Sequence, residues 1–136
     1  MEQVLKAIYN VLSNDANVTG ITSNIFPIVA PEQTNFPCVV YYVTGVMPHD
    51  TKSGPSTVDH MFVTIDCYAE DTQAASGYQT ASNLGEYIRT ALDRLTPATY
   101  ATIDIDGVQF IDADSGFDKQ SDVYVVSMDF KVRVNR

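Results

Sequence analysis

The side chains of this sequence that could do chemistry are mostly aspartates, and the densest group is the segment DADSGFD at residues 112–118. Its Asp112, Asp114 and Asp118 have a spacing similar to that of a calcium-binding loop. The pattern is incomplete, because the glycine stands at the fifth position instead of the sixth and Val123 occupies the place of the closing glutamate. We therefore predict a polar connection between two strands, with Gly116 supplying the turn. A small cation-binding module remains an alternative function.

A second pair of carboxylates, Asp104 and Asp106, flanks Ile105 in the segment IDIDG. Alternate residues of a strand share one face, so the two carboxylates would lie side by side in a strand. The following Gly107 creates an Asp-Gly dipeptide, which is a strong hairpin signal because glycine tolerates a positive φ. We predict a turn at this point.

The histidines and cysteines do not form a catalytic or metal-binding set. His49 lies in a loop-like segment and His60 opens a strand, so no pair has the helical spacing of a metal site. Cys38 and Cys67 lie in apolar strand-like runs and are predicted to be buried free thiols, with a cross-strand disulfide as the alternative. The sequence also lacks a nucleophile elbow, a phosphate-binding glycine loop and a dinucleotide fingerprint. We predict a protein that is not an enzyme and binds no cofactor.

Composition narrows the class of protein further. The chain has 136 residues, enough for one domain with its own hydrophobic core. Eight basic residues against 17 acidic ones give a formal charge of -9, which argues against a surface that grips nucleic acid. No membrane-spanning run and no signal-peptide pattern is present, so we expect a protein made in a cytoplasm.

Hydrophobic periodicity predicts two helices and five strands in the order α-β-β-β-α-β-β. The segment EQVLKAIYNVLSND at residues 2–15 is predicted to be an amphipathic helix, and a longer helix is predicted from Asp71 to Leu95. Strands are expected at residues 38–45, a continuous β-branched and aromatic run, and at 108–112. Strands are also expected at 60–69 and 123–136, where apolar and polar residues alternate. The predicted fold class is α+β, with both helices on one face of a mostly antiparallel sheet.

Two segments are expected to extend beyond this core. The segment from Asn24 to Phe36 contains Pro27 and Pro31 and is followed by Pro37. Prolines remove backbone donors, so the segment is predicted to be an edge strand or arm. Residues 46–58 are rich in proline, glycine and small polar residues, and are predicted to be a long hairpin loop. We expect residues 1–136 to form one domain that carries this arm and loop.

Several segments together resemble the tail-completion proteins of long-tailed bacteriophages. Two strands share a pattern, VTIDCYA at 63–69 and VSMDFKV at 126–132, and in each an aspartate (Asp66 or Asp129) faces away from the apolar side. The opening helix AIYNVLSNDANVTGIT, the segment NIFPIVAPEQTNFPCVVYYVTG and the helix entered from CYAEDTQA complete the resemblance. These features follow the family order along nearly the whole chain.

The resemblance implies a structural virion protein with no active site. It would be a subunit of a homo-oligomeric ring, typically six-fold, that closes the head-proximal end of the tail tube and joins it to the head connector. Its partners would be further copies of itself, the tail-tube protein and the connector protein, with DNA passing through the lumen as a non-specific cargo and no membrane involved. A head-closure adaptor at the same junction is the alternative role. Assembly would take place in the host cytoplasm.

A ring needs two complementary surfaces on each subunit, and arms and exposed strand edges can provide them. The predicted subunit contacts are in the arm, in the long loop and on the polar side of the last strand. They are Phe26, Pro27, Pro31, Phe36, Met47, His49, Lys52, Asp129, Lys131 and Arg133.

Overall fold

The computed structural model describes residues 2–32, 34–48 and 57–136 and contains one six-stranded sheet with helices on one face. The helices are α1 (Glu2–Ser13), α2 (Ala16–Thr19) and α3 (Gly77–Leu92). The strands are β1 (Ile25–Pro27), β2 (Cys38–Pro48), β3 (Val58–Ala69), β4 (Ala98–Tyr100), β5 (Ile103–Asp118) and β6 (Val123–Asn135). The predicted α+β class and element order are confirmed, with the short elements α2 and β4 added.

The strands lie in the order β1-β2-β3-β6-β5-β4, and every neighbouring pair is antiparallel except β1 and β2. The three long strands β3, β6 and β5 form the centre and one flank of the sheet. β1 is an edge strand, as predicted for the proline-containing segment, and it pairs only with residues 39–41 of β2.

One face of the sheet, here called the inner face, packs against α1 and α3. Alternate residues of β3 and β6, such as Ile65 and Phe130, are buried there, and they contact Ile8 of α1 and Leu84 of α3 within one apolar cluster. The opposite face, here called the outer face, has no helix packed on it in the described residues. The alternation predicted from the sequence of β6 is therefore confirmed.

The first helix ends at Ser13, two residues before the predicted end. Val4, Ala7, Ile8 and Leu12 are buried at helical spacing. Asp15 then caps α2, because its Oδ1 accepts hydrogen bonds from the backbone nitrogens of Asn17 at 3.0 Å and Val18 at 3.1 Å.

The second long helix begins later than predicted, at Gly77 instead of Asp71. The N-cap is Ser76, and the side chain of Asp71 accepts a hydrogen bond of 2.7 Å from the Gly77 nitrogen. The segment between them folds back so closely that a Cβ on Gly77 would lie 2.7 Å from the carbonyl carbon of Glu70. Asp71 thus does cap a free helix donor, but from outside the helix.

The turn predictions for β5 were wrong. Asp106 is not in a hairpin turn but in a bulge, where the pairing of β5 with β6 shifts between Ile105 and Gly107. The segment 112–118 is also paired with β6 throughout, so Gly116 supplies no turn. A long complementary partner strand can hold such residues in an extended conformation with bulges, against their local preference.

The loop between β2 and β3 is shorter than the predicted loop at residues 46–58. Met47 pairs with His60, and Pro48 pairs with Asp59, so β2 continues to Pro48 and β3 begins at Val58. The rest of the predicted loop, residues 49–56, lies outside the described residues.

Candidate functional site

Of the predicted contact residues of the arm, Phe26 and Pro27 belong to β1, and Pro31 and Phe36 belong to the segment between β1 and β2. Pro27 and Pro31 are exposed, and Phe26 and Phe36 are half-buried. Phe26 pairs with Val40 and so belongs to the outer face. The role of these four residues as subunit contacts stays a prediction.

A second set of predicted contact residues meets on the outer face. Asp129, Lys131 and Arg133 alternate along β6, and Arg133 stands across from His60, which pairs in turn with Met47 of β2. Met47 is 56% exposed. The other two predicted contacts, His49 and Lys52, lie outside the described residues.

The outer face carries a concentration of carboxylates at the end opposite Arg133. Asp129 accepts a hydrogen bond of 2.7 Å from Thr64 and stands directly across from Asp112 of β5. The hydrogen bond between the two carboxyls, then burial and the charges of Asp129 and Asp114, raise the pKa of Asp112 above its usual value of 3.8. The sequence missed this pair, because it ended the predicted strand at Asp112 and gave no register between that strand and the last one.

Replacing Asp112 with asparagine is expected to raise the melting temperature at pH 7. Because its pKa is raised in the folded chain, the folded state binds this proton more tightly than the unfolded state does. The ionised carboxylate therefore disfavours folding above the raised pKa, and this cost fades as the pH falls towards 3.8. The advantage of the variant should accordingly disappear below pH 3.8, which thermal melts across a pH series would measure.

Asp114→Asn provides the matched control, because Asp114 faces Ser127 and has no carboxylate directly opposite. It should raise the melting temperature less. Identical melting temperatures at pH 7 for Asp112→Asn and the natural chain would contradict the repulsion between Asp112 and Asp129.

Asp66 is the buried acid of the outer face. It is 9% exposed, and its Oδ2 accepts long hydrogen bonds from the hydroxyls of Tyr42 at 3.4 Å and Tyr68 at 3.5 Å. Its Oδ1 is buried and has no hydrogen-bond partner among the described residues. Burial, followed by the charge of Asp66, raises the pKa of Tyr68 to about 12 and also raises that of Tyr42.

Asp66 opens onto a groove of about 460 Å³ on the outer face, here called the Asp66 groove. The arm forms one wall with Ile28, Val29 and Phe36. The turn between β5 and β6 contributes Asp118 and Ser121 to the rim. The sequence indicated that Asp66 faces away from the core, but the wall that the arm supplies depends on tertiary packing.

Both edges of the sheet carry exposed and half-buried apolar residues. The surface beside β1, here called the β1-edge surface, consists of Leu5, Tyr9, Pro27, Ile28 and Val43 around two shallow depressions. The surface beside β5, here called the β5-edge surface, consists of Tyr78, Phe110, Ile111 and Phe117. Ile28 is 67% exposed and Ile111 is 46% exposed.

Ile28 also has a backbone conformation that a β-branched residue rarely adopts, with φ of 70°. Its nitrogen donates a hydrogen bond of 2.8 Å to the carbonyl oxygen of Tyr41, which continues the pairing of β1 with β2. Glycine and asparagine adopt this conformation more readily than isoleucine does, so the backbone at this position does not favour the residue that occupies it.

The described residues give little support for a metal site, a reactive thiol or a ligand cavity. No group of three or more potential metal-ligating side chains occurs there. Cys38 and Cys67 are buried free thiols, as predicted, and burial raises the pKa of Cys38 to about 11 and also raises that of Cys67. The apolar void between α1, α3 and the sheet measures about 10 Å³, too small for an organic ligand.

None of the helices in the described residues is long and apolar enough to cross a bilayer.

Unpaired strand edges and exposed apolar residues on the flanks of a sheet are typical of surfaces that contact other chains. A model of the family described as "Tail completion protein gp17" matches residues 6–135. The chain therefore belongs to this tail-completion family. It is a structural component of the phage tail and not an enzyme, which confirms the prediction from the sequence.

Two solved structures have a similar fold. A chain from the virion of a native gene transfer agent particle superposes with a TM-score of 0.81 at 18% identity, covering 99% of this chain and 96% of that one. A second chain gives a TM-score of 0.65 at 10% identity, with 99% and 95% covered. No curated protein matched the chain. At these identities the two structures support the fold alone.

Proposed function

We propose that the protein is the subunit of a closed ring that ends the tail tube and joins it to the head connector. The observation that carries this proposal is the pair of different apolar surfaces at the two flanks of one sheet. The family resemblance implies a six-fold ring at the head-proximal end of the tail. The partners would be further copies of the chain, the tail-tube protein and the connector protein.

A ring of identical subunits needs a head-to-tail interface, in which one surface of each subunit contacts a different surface of the next. The β1-edge and β5-edge surfaces meet this requirement, because β1 and β5 lie towards opposite ends of the strand order. Large apolar side chains exposed on a monomer commonly mark such contacts.

Backbone pairing could extend the same interface. In the described residues, β1 pairs with β2 only as far as Tyr41, whose carbonyl oxygen also accepts the bond from Ile28. Along the opposite edge of the sheet, β4 pairs with β5 only over residues 103–105. The segment of residues 93–94 bonds to Val108 and Phe110, so the free edge of β5 runs over residues 111–118. Pairing of this edge with residues 42–48 of a neighbour would remove two open edges at once.

The outer face would meet the partners above and below the ring. Met47, Asp129, Lys131 and Arg133 lie on this face and remain proposed contacts, together with His49 and Lys52 of the hairpin. The formal charge of -9 suits a ring through which DNA slides without being held, since like charges repel.

Adding the purified protein to growing tail tubes should stop their elongation at one end. Negative-stain images of tubes assembled with and without the protein would measure this, and the expected result is tubes with a ring at one end that no longer lengthen. Tubes that carry no ring and keep growing would contradict a role as tail terminator. Rings found on filled heads and absent from tubes would assign the protein to head closure instead.

A further inference from the structure

We propose that the Asp66 groove is a receptor for an arginine side chain carried by a neighbouring protein of the tail. This assignment rests on the proposed function for the identity of the neighbour, whereas the binding of a guanidinium group follows from the groove alone. The juxtaposition that carries it is a buried carboxylate with one unpaired oxygen, two tyrosine hydroxyls and an apolar wall.

The carboxylate of Asp66 is incompletely satisfied in the free chain. Carboxylate oxygens in protein interiors normally accept short hydrogen bonds, yet both bonds to Oδ2 are at the long limit and Oδ1 accepts none from the described residues. Removing a charge from water without a partner is costly. A group that arrives on assembly and donates to both oxygens would remove this cost.

The ion pairs that the described cations form lie away from Asp66. The ion pairs among the described residues join Lys6 to Glu2, Arg133 to Asp106 and Arg136 to Asp59, and Arg89 lies over the ring of Phe110. None of the described lysines or arginines forms an ion pair with Asp66. Among the described residues Asp66 thus has no ion-pair partner, and in the proposed complex another chain supplies one.

Arginine suits the groove better than a metal ion or a lysine does. A metal ion would need several oxygen or nitrogen ligands, and the described residues supply no such group. A guanidinium can donate in parallel to both oxygens of one carboxylate. Its flat face can also stack on a tyrosine ring such as Tyr42 or Tyr68, and its methylene groups can lie along Ile28 and Val29.

The charge of the chain favours a basic partner at this place. Asp118 stands on the rim of the groove, and Asp112, Asp114 and Asp129 follow on the same face of the sheet. An acidic surface attracts a basic partner and repels another copy of the same surface. The proposed occupant is therefore a basic side chain of a different protein, and not the outer face of a second subunit.

The first test uses N-acetylarginine amide as the probe and the isolated protein. Its titration should shift the NMR signal of the Asp66 carboxyl carbon in a saturable way, and Asp66→Asn should abolish saturable binding. Glu70→Gln, which removes the same charge from an exposed position at the end of β3, should leave it unchanged. A shift that is absent at Asp66, or spread equally over Asp112 and Asp114, would overturn the proposal.

The second test measures binding of the same variants to tails that lack this protein. Asp66→Asn should weaken binding at least about tenfold without lowering the melting temperature of the free protein, whereas Glu70→Gln should bind normally. Should Asp66→Asn fail to fold, Val29→Lys can replace it, because Val29 is 71% exposed and a lysine there puts a competing cation at the groove.

The outcomes separate the two proposals. Normal tail binding by both Asp66→Asn and Val29→Lys would overturn the arginine receptor while leaving the tail function intact. Failure of the natural chain to bind tails, with saturable binding of the probe at Asp66, would overturn the tail function and leave the guanidinium site. Loss of self-association in Asp66→Asn without tails would make the occupant a second copy and overturn the assignment to another protein.

Discussion

Phe130→Ala is expected to lower the free energy of unfolding by about 3–5 kcal/mol, a large part of the roughly 5–15 kcal/mol that holds a domain of this kind together. Phe130 is 1% exposed at the centre of β6, between Val63 of β3 and Phe110 of β5. Its ring meets that of Phe110 edge-to-face, with centroids 5.6 Å apart. Truncation would remove this contact and leave a cavity in the apolar cluster between the sheet and both helices.

Urea denaturation followed by circular dichroism, at one fixed protein concentration, would measure this loss. Phe117→Ala is the matched control, because Phe117 also lies on the inner face of the sheet but is 46% exposed. Its removal should cost far less. A similar loss of stability for both variants would show that the packing between β6 and the helices is not the main core of the fold.

Ile28→Asp and Ile111→Asp are each expected to prevent the ring from closing while the subunit stays folded. Each places a charge in the centre of one proposed edge surface, where burial without a partner would weaken the contact between neighbours by about 2–5 kcal/mol. Both side chains are exposed in the free subunit, and aspartate tolerates the positive φ of residue 28 better than isoleucine does. Size-exclusion chromatography with light scattering would measure the mass of each variant.

Mixing the two variants gives the sharper result. In a head-to-tail interface, the intact β5-edge surface of Ile28→Asp can bind the intact β1-edge surface of Ile111→Asp, so an equimolar mixture should form dimers and never rings. Tyr87→Glu provides the control, because Tyr87 is an exposed apolar residue of α3 outside both surfaces. Rings of normal mass from either variant alone would contradict the proposed interface.

The sequence predicted the central strands because their apolar residues alternate regularly. In β3 and β6 every second residue is apolar, and the two strands pair over twelve residues without a break in register. The helix α1 was predicted for the same reason, with its buried residues at steps of three or four. Where one pattern runs unbroken for several residues, local and tertiary preferences agree and the sequence alone is sufficient.

The same reasoning failed in β5, whose alternation is interrupted twice. Bulges at Asp106 and Ile111 shift the pattern, and the Asp-Gly and Ser-Gly dipeptides are typical of turns. Only the length of β6 on the neighbouring side shows that residues 112–118 must pair. The opposed carboxylates of Asp112 and Asp129 follow from that register, so no local pattern could have revealed them.

The candidate surfaces were predictable in part. Prolines identified the arm, and alternation placed Asp129, Lys131 and Arg133 on the outer face. The Asp66 groove needed three segments distant in sequence to come together, namely the arm, β3 and the turn after β5. The burial of Asp66 and the lack of a partner for its Oδ1 are tertiary properties of this arrangement.

The two buried thiols offer a practical route to counting the subunits. Since Cys38 and Cys67 are the chain's whole complement of cysteines and both are shielded from solvent, a cysteine introduced at an exposed position would be the one that a maleimide dye modifies. One dye per subunit, attached away from both flanks, would then let single-molecule photobleaching report the stoichiometry directly as a number of intensity steps.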